Sequence, residues 1–370
     1  MNKYQKYVKD FVGIRMSSWL NLKTVDSEIT NRCNAACTLC ARTGIHNGVS
    51  DIIKGMKVRD IELDDWKDIL TSKNGKNISK IYYCGNYGDP MMHPNAFEIF
   101  KQNQELNIKF QLADTNGGMR NKSWWSELGK LKGLNINFAI DGLSDTNHIY
   151  RRNTNYEKII ENARAYIDSG GSAFWVMIVF KHNQHQVKEA REIAKKYGFK
   201  NFSIKKTTAG LDPNTPEHSH AQPYRKRNDQ PEIKERISFP TIKEYQANII
   251  SKGHQQYEVI PKCVTESHSV RRGAPAMYIT CDRLILPCCW SQTAIARHMY
   301  TDRKPSTPTS DLSFYWFLEE NKIKYDLAKY AFDDIMESYE EFYPGFEKGW
   351  KEKSFAICNK QCGSNFRTMK

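Results

Sequence analysis

Cys33-Asn34-Ala35-Ala36-Cys37-Thr38-Leu39-Cys40 places three cysteines within one short stretch, spaced C-x3-C-x2-C. It follows an apolar, β-prone run, Thr24-Val25-Asp26-Ser27-Glu28-Ile29-Thr30. Three thiolates on one short loop hold three corners of an iron–sulfur cube and leave its fourth iron without a protein ligand. An open coordination position is what separates a catalytic metal site from a structural one. The competing reading puts positions 33, 37 and 40 on the buried face of a helix, because free cysteine packs as a small hydrophobe. The flanking Asn31, Arg32 and Asn34 read as loop rather than helix interior, which favours the cluster.

At 370 residues the chain has room for one large domain and a smaller one. Hydrophobic residues make up 39% and aromatics 12%, enough for a globular core. No run approaches the roughly eighteen apolar residues of a membrane span, and none is expected. Residues 1–22 carry scattered lysines and no apolar h-region, unlike a signal peptide. Tyr4, Tyr7, Val8, Phe11 and Val12 recur at helical spacing and predict a short amphipathic helix. Ten cysteines without an export signal point to a reducing, cytoplasmic setting in which clustered thiols bind metal. The net charge of +13 favours acidic partners: phosphorylated small molecules, nucleotides or nucleic acid. No dense basic run accompanies it, so nucleic acid is the less favoured of these.

From residue 24 to 206, strand-like apolar runs alternate with helical patterns. The runs fall at 24–30, 78–84, 108–114, 134–140, 173–180 and 201–206. Helical patterns fall at 62–71, 94–106, 122–131, 155–168 and 184–197. Pro94 in a first turn, and Gly170 and Gly198 past two helix ends, fit helix start and stop chemistry. Repeated strand–helix units imply a parallel sheet with right-handed crossovers. Ligands in such folds sit at the C-terminal ends of the strands.

The three-cysteine loop after a first strand resembles the signature of the radical S-adenosylmethionine (radical SAM) superfamily. The resemblance implies an α/β fold, a partial (β/α)6 TIM-like barrel open on one side to substrate. It implies a [4Fe–4S] cluster on Cys33, Cys37 and Cys40 whose fourth iron chelates the amino and carboxylate groups of SAM. An electron from a donor such as flavodoxin or ferredoxin then breaks the sulfonium C–S bond. The products are methionine and a 5′-deoxyadenosyl radical that removes hydrogen from a substrate. Leu39 stands where the family often has an aromatic contact to adenine.

Gly85-Asn86-Tyr87-Gly88-Asp89-Pro90 is similar to the family's Gly-Gly-Glu-Pro turn, which receives the SAM amino group. Glycine admits a close backbone approach and a carboxylate matches an ammonium, though Asp89 reaches less far than Glu. The resemblance also places Asn116, in Asp114-Thr115-Asn116-Gly117-Gly118, and Asp141, in Ala139-Ile140-Asp141-Gly142, at SAM or substrate. Ala139 replaces a serine that family members often carry near the ribose. Asn183 resembles a common polar residue at the end of the fifth strand, and Lys181 is a candidate for the SAM carboxylate or an anionic substrate. His182 and His185 are read as ordinary residues at a helix start.

Residues 207–262 are rich in Pro, His, Gln and charge and read as a linker or lid. Beyond them lie Cys263, Cys281, Cys288, Cys289, Cys358 and Cys362, with a small hairpin predicted over 278–290. This set resembles the SPASM/twitch extension, which carries auxiliary iron–sulfur clusters. A full SPASM domain needs about seven or eight ligands, so a twitch-type module with one auxiliary [4Fe–4S] cluster is expected. Its expected ligands are Cys263, one of Cys281, Cys288 and Cys289, and the pair Cys358 and Cys362. Arg283 stands where family hairpins have glycine, and the final C-x3-C replaces the usual C-x2-C. A four-cysteine zinc site accepts the same ligands.

The expected organisation is a capping segment at 1–23, a barrel at 24–206, a linker or lid at 207–262 and an auxiliary-cluster domain at 263–370. The expected activity is hydrogen abstraction from a polar small molecule, anionic ones included. Peptide modifiers of the family often carry an N-terminal leader-binding domain, for which residues 1–23 are short. Maturation of a ribosomally made peptide is the alternative within the family. A zinc-containing nucleic-acid-binding protein is the alternative from another class.

Overall fold

The computed structural model describes residues 19–37, 40, 42–46, 49–52, 56–206, 222–223, 237–246, 263, 276–292, 295 and 313–362. The helix expected over 4–12, Leu39 and most of the 207–262 segment lie outside the described residues. All six expected strands are present: β1 (Thr24–Ser27), β2 (Lys80–Tyr83), β3 (Phe110–Thr115), β4 (Leu134–Ala139), β5 (Ser172–Ile178) and β6 (Asn201–Lys205). The five expected helices accompany them: α1 (Leu63–Thr71), α2 (Ala96–Glu105), α3 (Lys122–Gly129), α4 (Tyr156–Asp168) and α5 (Val187–Lys196). This succession, with its parallel strands, is the partial (β/α)6 TIM-like barrel class. A short antiparallel ribbon, Thr43–His46 with Val49–Ile52, is an addition that hydrophobic periodicity does not reveal.

The chain packs as two compact units. One gathers residues 28–63 and 83–253, the other the described parts of 1–27, 64–82 and 254–370. In the first, β3, β4, β5 and β6 lie side by side in sequence order and parallel. Asn121 Oδ1 accepts from Trp124 N at 2.9 Å and Asn155 Oδ1 from Lys158 N at 2.7 Å, capping α3 and α4. Gly170 and Gly198, at φ +99° and +82°, follow α4 and α5 as their stop signals require. The helices cover the sheet through an aromatic core. Trp125 lies 5.2 Å from Phe138 and 6.1 Å from Tyr166, and Phe138 lies 6.0 Å from Phe199.

In the second unit the strand order is β8-β7-β1-β2, where β7 is Ala276–Ile279 and β8 is Ile285–Leu286. β7 runs parallel to β1, with Thr24 opposite Ala276 and Ser27 opposite Ile279. A strand from the late-cysteine region thus extends the edge of the first barrel strand. Among the described residues this unit also holds α1 from Asp64 onward and, towards the C-terminus, α6 (Ser313–Glu320), α7 (Phe332–Glu341), α8 (Tyr343–Lys351) and α9 (Ala356–Cys362). Trp19, fully buried, meets Tyr339, Tyr343 and Phe346 edge-on, each at 5.4 Å. The turn between β7 and β8 holds Arg283 at φ +68°, the left-handed conformation that glycine adopts most cheaply. Its guanidinium pairs with Asp65 at 2.9 Å, and that contact offsets part of the cost.

Trp125 is fully buried at the centre of the first unit's aromatic core. Trp125→Ala is expected to destabilise the protein by about 3–5 kcal/mol, read as a lowered midpoint in urea unfolding.

Candidate functional site

Residues 31–37 and 40 are loop, not helix, so the three cysteines are not one face of a buried helix. Cys37 belongs to an apolar cluster with Ala35, Ile149, Tyr150, Phe180 and Ile237, and Cys33 and Cys40 pack against the same cluster. Ala36 N–H donates to Arg152 O at 3.0 Å and Cys40 N–H to Cys37 O at 3.2 Å. Burial pushes the Cys33 thiol well up, and the charges of Asp89, Cys37 and Cys40 add to it. Burial likewise lifts Cys37 to about 11, against the pull of Arg151. Cys40 is raised by burial too. None of the ten cysteines is in a disulfide. Among the described residues no three thiols, imidazoles or carboxylates close to the spacing of a single-ion site. Three desolvated sulfurs that feel one another's charge need a cationic partner once ionised, and the iron of a cluster is one. The donor set fits that group.

The loop after β2 is pressed against the chain leaving β1. A Cβ at Gly88 would stand 1.9 Å from Thr30 O, so no other residue fits there. Glu28 Oε1 accepts from Tyr87 N at 2.5 Å and Gly88 N at 3.0 Å. Arg42 Nη1 donates to Tyr87 O at 3.0 Å and to Asn31 O. Gly85 and Pro90 flank this turn, and Pro90 opens the short 3-10 segment Pro90–Met92.

Asp89 is buried and surrounded by donors. Its Oδ1 accepts from Met91 N at 3.0 Å and Thr115 Oγ1 at 2.9 Å. Its Oδ2 accepts from Asn116 N at 2.8 Å and Asn116 Nδ2 at 2.6 Å. A carboxylate offers about four lone-pair sites, so its acceptor capacity is used inside the protein. Burial still raises the Asp89 carboxyl, against the lowering effect of these donors. Asn116 Nδ2 also meets Asn34 Oδ1 at 2.9 Å and lies 3.9 Å from Cys33 Sγ. Asp89 and Asn116 therefore tie the ends of β2 and β3 to the cysteine loop.

Past β4, Asp141 is fully buried and pairs through Oδ2 with Arg151 Nε at 2.6 Å. Its Oδ1 accepts from Ile178 N at 2.5 Å, and its own N–H donates to Asn147 Oδ1 at 2.9 Å. Asn183 Nδ2 donates to Asp141 O at 2.7 Å and Ile178 O at 2.9 Å. Lys181 is exposed, and its backbone N–H donates to Ser238 O at 3.0 Å. His182 stacks on Phe180 at 5.5 Å, and burial pushes its pKa down to about 4.

Residues 27–194, which contain every one of these contributions except Ile237 and Ser238, match the family described as the Radical SAM superfamily. They form a radical SAM domain. Two solved structures of SuiB from Streptococcus suis are similar to this chain. One, bound to S-adenosylmethionine, is 16% identical with a TM-score of 0.50 and aligns over 85% of this chain and 69% of its own. The other, bound to precursor peptide SuiA, is 15% identical with a TM-score of 0.50, over 85% and 68%. BtrN in complex with AdoMet and 2-DOIA is 10% identical, with a TM-score of 0.41, over 93% and 94%. No curated protein sequence matches. No described helix is long and apolar enough to cross a membrane.

The radical SAM domain uses three residues whose roles composition and motif order do not show: Glu28, Arg42 and Arg151. Each acts on a partner distant in sequence. Arg151 alone carries a recognisable signal, an arginine ten positions beyond an Asp-Gly turn. Outside the domain, the Cys263 thiol is raised well by burial and then by the charges of Cys288, Cys358 and Cys362. Burial lifts Cys288 to about 11, with Cys289 adding to it, and its sulfur lies 3.5 Å from Ser291 Oγ. Cys281 is buried at the end of β7.

With its oxygens already engaged, Asp89 has a role that can be measured without SAM. Asp89→Ala leaves Thr115 and Asn116 donors without their acceptor, at about 1–3 kcal/mol for each buried group. Urea unfolding of the SAM-free protein is expected to show that loss. A stability equal to wild type assigns Asp89 no tying role.

Proposed function

We propose that this chain is a radical SAM enzyme that cleaves S-adenosylmethionine reductively and abstracts hydrogen from a polar small molecule, anionic ones included. The observation that carries the reading is the group of three thiols, Cys37 buried and Cys33 and Cys40 half-buried, on one loop of a radical SAM domain. Cys33, Cys37 and Cys40 would hold a [4Fe–4S] cluster, which supplies one-electron reduction of SAM. The protein's own contribution is a dry, fixed pocket. Tyr150 and Phe180 form its apolar wall beside Cys37, and the Asp89 and Asp141 contacts lock the strand ends around it. Exclusion of water protects a reactive radical from side reactions. The excess of positive charge supports an anionic substrate through long-range attraction.

We further propose that Cys263, Cys288, Cys358 and Cys362 hold an auxiliary [4Fe–4S] cluster. Support comes from the influence that Cys288, Cys358 and Cys362 each exert on the Cys263 thiol. Cys288 is favoured over Cys281 and Cys289 on that ground.

Metal analysis separates the alternatives. Two clusters give roughly eight irons per chain, whereas one cluster with a zinc site gives about four irons and one zinc. Replacing Cys33, Cys37 and Cys40 by alanine is expected to abolish 5′-deoxyadenosine formation and leave about four irons. Anaerobic incubation with deuterated candidate substrates, followed by mass spectrometry of 5′-deoxyadenosine, identifies the hydrogen donor. Persistent 5′-deoxyadenosine production by the triple variant would overturn the cluster assignment.

A further inference from the structure

We propose that Arg151, clamped by Asp141, is a positioning residue that raises the reduction potential of the cluster by directing positive charge at the Cys37 sulfur. The inference rests on the radical SAM reading above. Arg151 Nη1 stands 3.7 Å from Cys37 Sγ while its Nε is bound to Asp141 at 2.6 Å. Its Cζ lies 5.3 Å from the centre of the Tyr150 ring, and that ring packs 4.8 Å from Phe180. Asp141 is itself immobilised by Ile178 N–H, and its backbone is tied to Asn147 and Asn183. The guanidinium therefore has little freedom to leave the sulfur. The Arg151 side chain is 16% exposed and that of Asp141 0%, so solvent screens the pair weakly.

The three cysteines are not treated alike. Cys33 meets a neutral amide, Asn116 Nδ2 at 3.9 Å, and feels the Asp89 carboxylate. Cys37 meets a fixed cation. Hydrogen bonds and positive charge at a ligand sulfur stabilise the more negative, reduced state of a cluster and raise its potential. In a poorly screened pocket the nearer charge dominates, and Arg151, in contact with the sulfur, acts on Cys37 more strongly than Asp141 does. Reduction is the step that licenses SAM cleavage, so the pair would set how strong a reductant the enzyme needs.

A purely structural role, in which the ion pair only fastens Arg151 to the turn after β4, makes a different forecast. The test is an EPR-monitored redox titration of reconstituted enzyme, following the SAM-responsive signal. Arg151→Gln is expected to shift the midpoint to a more negative potential, with Arg151→Lys between it and wild type. An unchanged midpoint in an Arg151→Gln protein with full iron content overturns the proposal. If that variant does not load iron, wild-type enzyme labelled with 15N-arginine decides. Pulsed EPR of its reduced cluster is expected to show a 15N coupling that Arg151→Lys loses, and no coupling in the wild type overturns the proposal. A wild-type protein without any SAM-responsive cluster overturns the radical SAM reading itself, and this inference with it.

Discussion

Three thiols gathered on one apolar cluster, one buried and two half-buried, are the constraint around which the radical SAM domain is arranged. Burial disfavours the thiolate, and each of the three is pushed up for that reason first. A site that must present sulfur as thiolate therefore has to bring positive charge to it. The protein supplies some through Arg151 at Cys37, and Arg42 lowers Cys40 through a backbone hydrogen bond and its charge. A bound cluster would supply the rest, with its binding coupled to loss of the thiol protons. The apolar wall of Tyr150 and Phe180 is thus both the cost of the site and the means of keeping water from it.

Around the thiols, the polar residues at the strand ends act chiefly on one another. Asp89, Asn116, Asp141 and Asn183 have the composition of ligand-binding groups, yet their polar atoms are engaged by neighbouring turns. A buried network with its donors and acceptors matched is rigid, and a single missing partner is expensive. That rigidity is useful at a site where a ligand's amino group, carboxylate and reacting carbon must be placed together. It also explains why Asp can stand where a longer Glu is usual. The shorter Asp89 carboxylate has the reach to accept from Thr115 and Asn116.

Much of this was legible in the sequence because it is local. Alternating apolar runs located the six strands, amphipathic spacing located α1 to α5, and Gly170 and Gly198 marked the ends of two helices. The C-x3-C-x2-C spacing singled out a loop where three thiols gather. What was not legible is pairing over long separations. β7 joins β1 across some 250 residues, a contact that periodicity carries no information about. Glu28 and Arg42 look like ordinary charged residues until Tyr87 and Gly88 fold onto them. The departure at Arg283 points the other way. A left-handed backbone favours glycine, yet φ of +68° is held here by arginine, beside Asp65.

The two thiol groups differ in what surrounds them, and the difference bears on the roles proposed for them. Cys37 faces a guanidinium, so its environment is built to tolerate added negative charge. Cys263, Cys288 and Cys358 are shifted by burial and by neighbouring thiols, with Ser291 and Trp350 as the opposing hydrogen-bond partners. A site of four thiolates carries one more negative charge than a site of three, and neutral donors compensate it less than a cation does. Such a site holds its electrons at a lower potential and leaves no iron open to a ligand. On the proposed reading, the cation belongs beside the three-cysteine loop because that is where an electron must arrive. The late cysteines, seated among β7, β8 and the C-terminal helices, have the surroundings of a group whose binding energy is spent on folding.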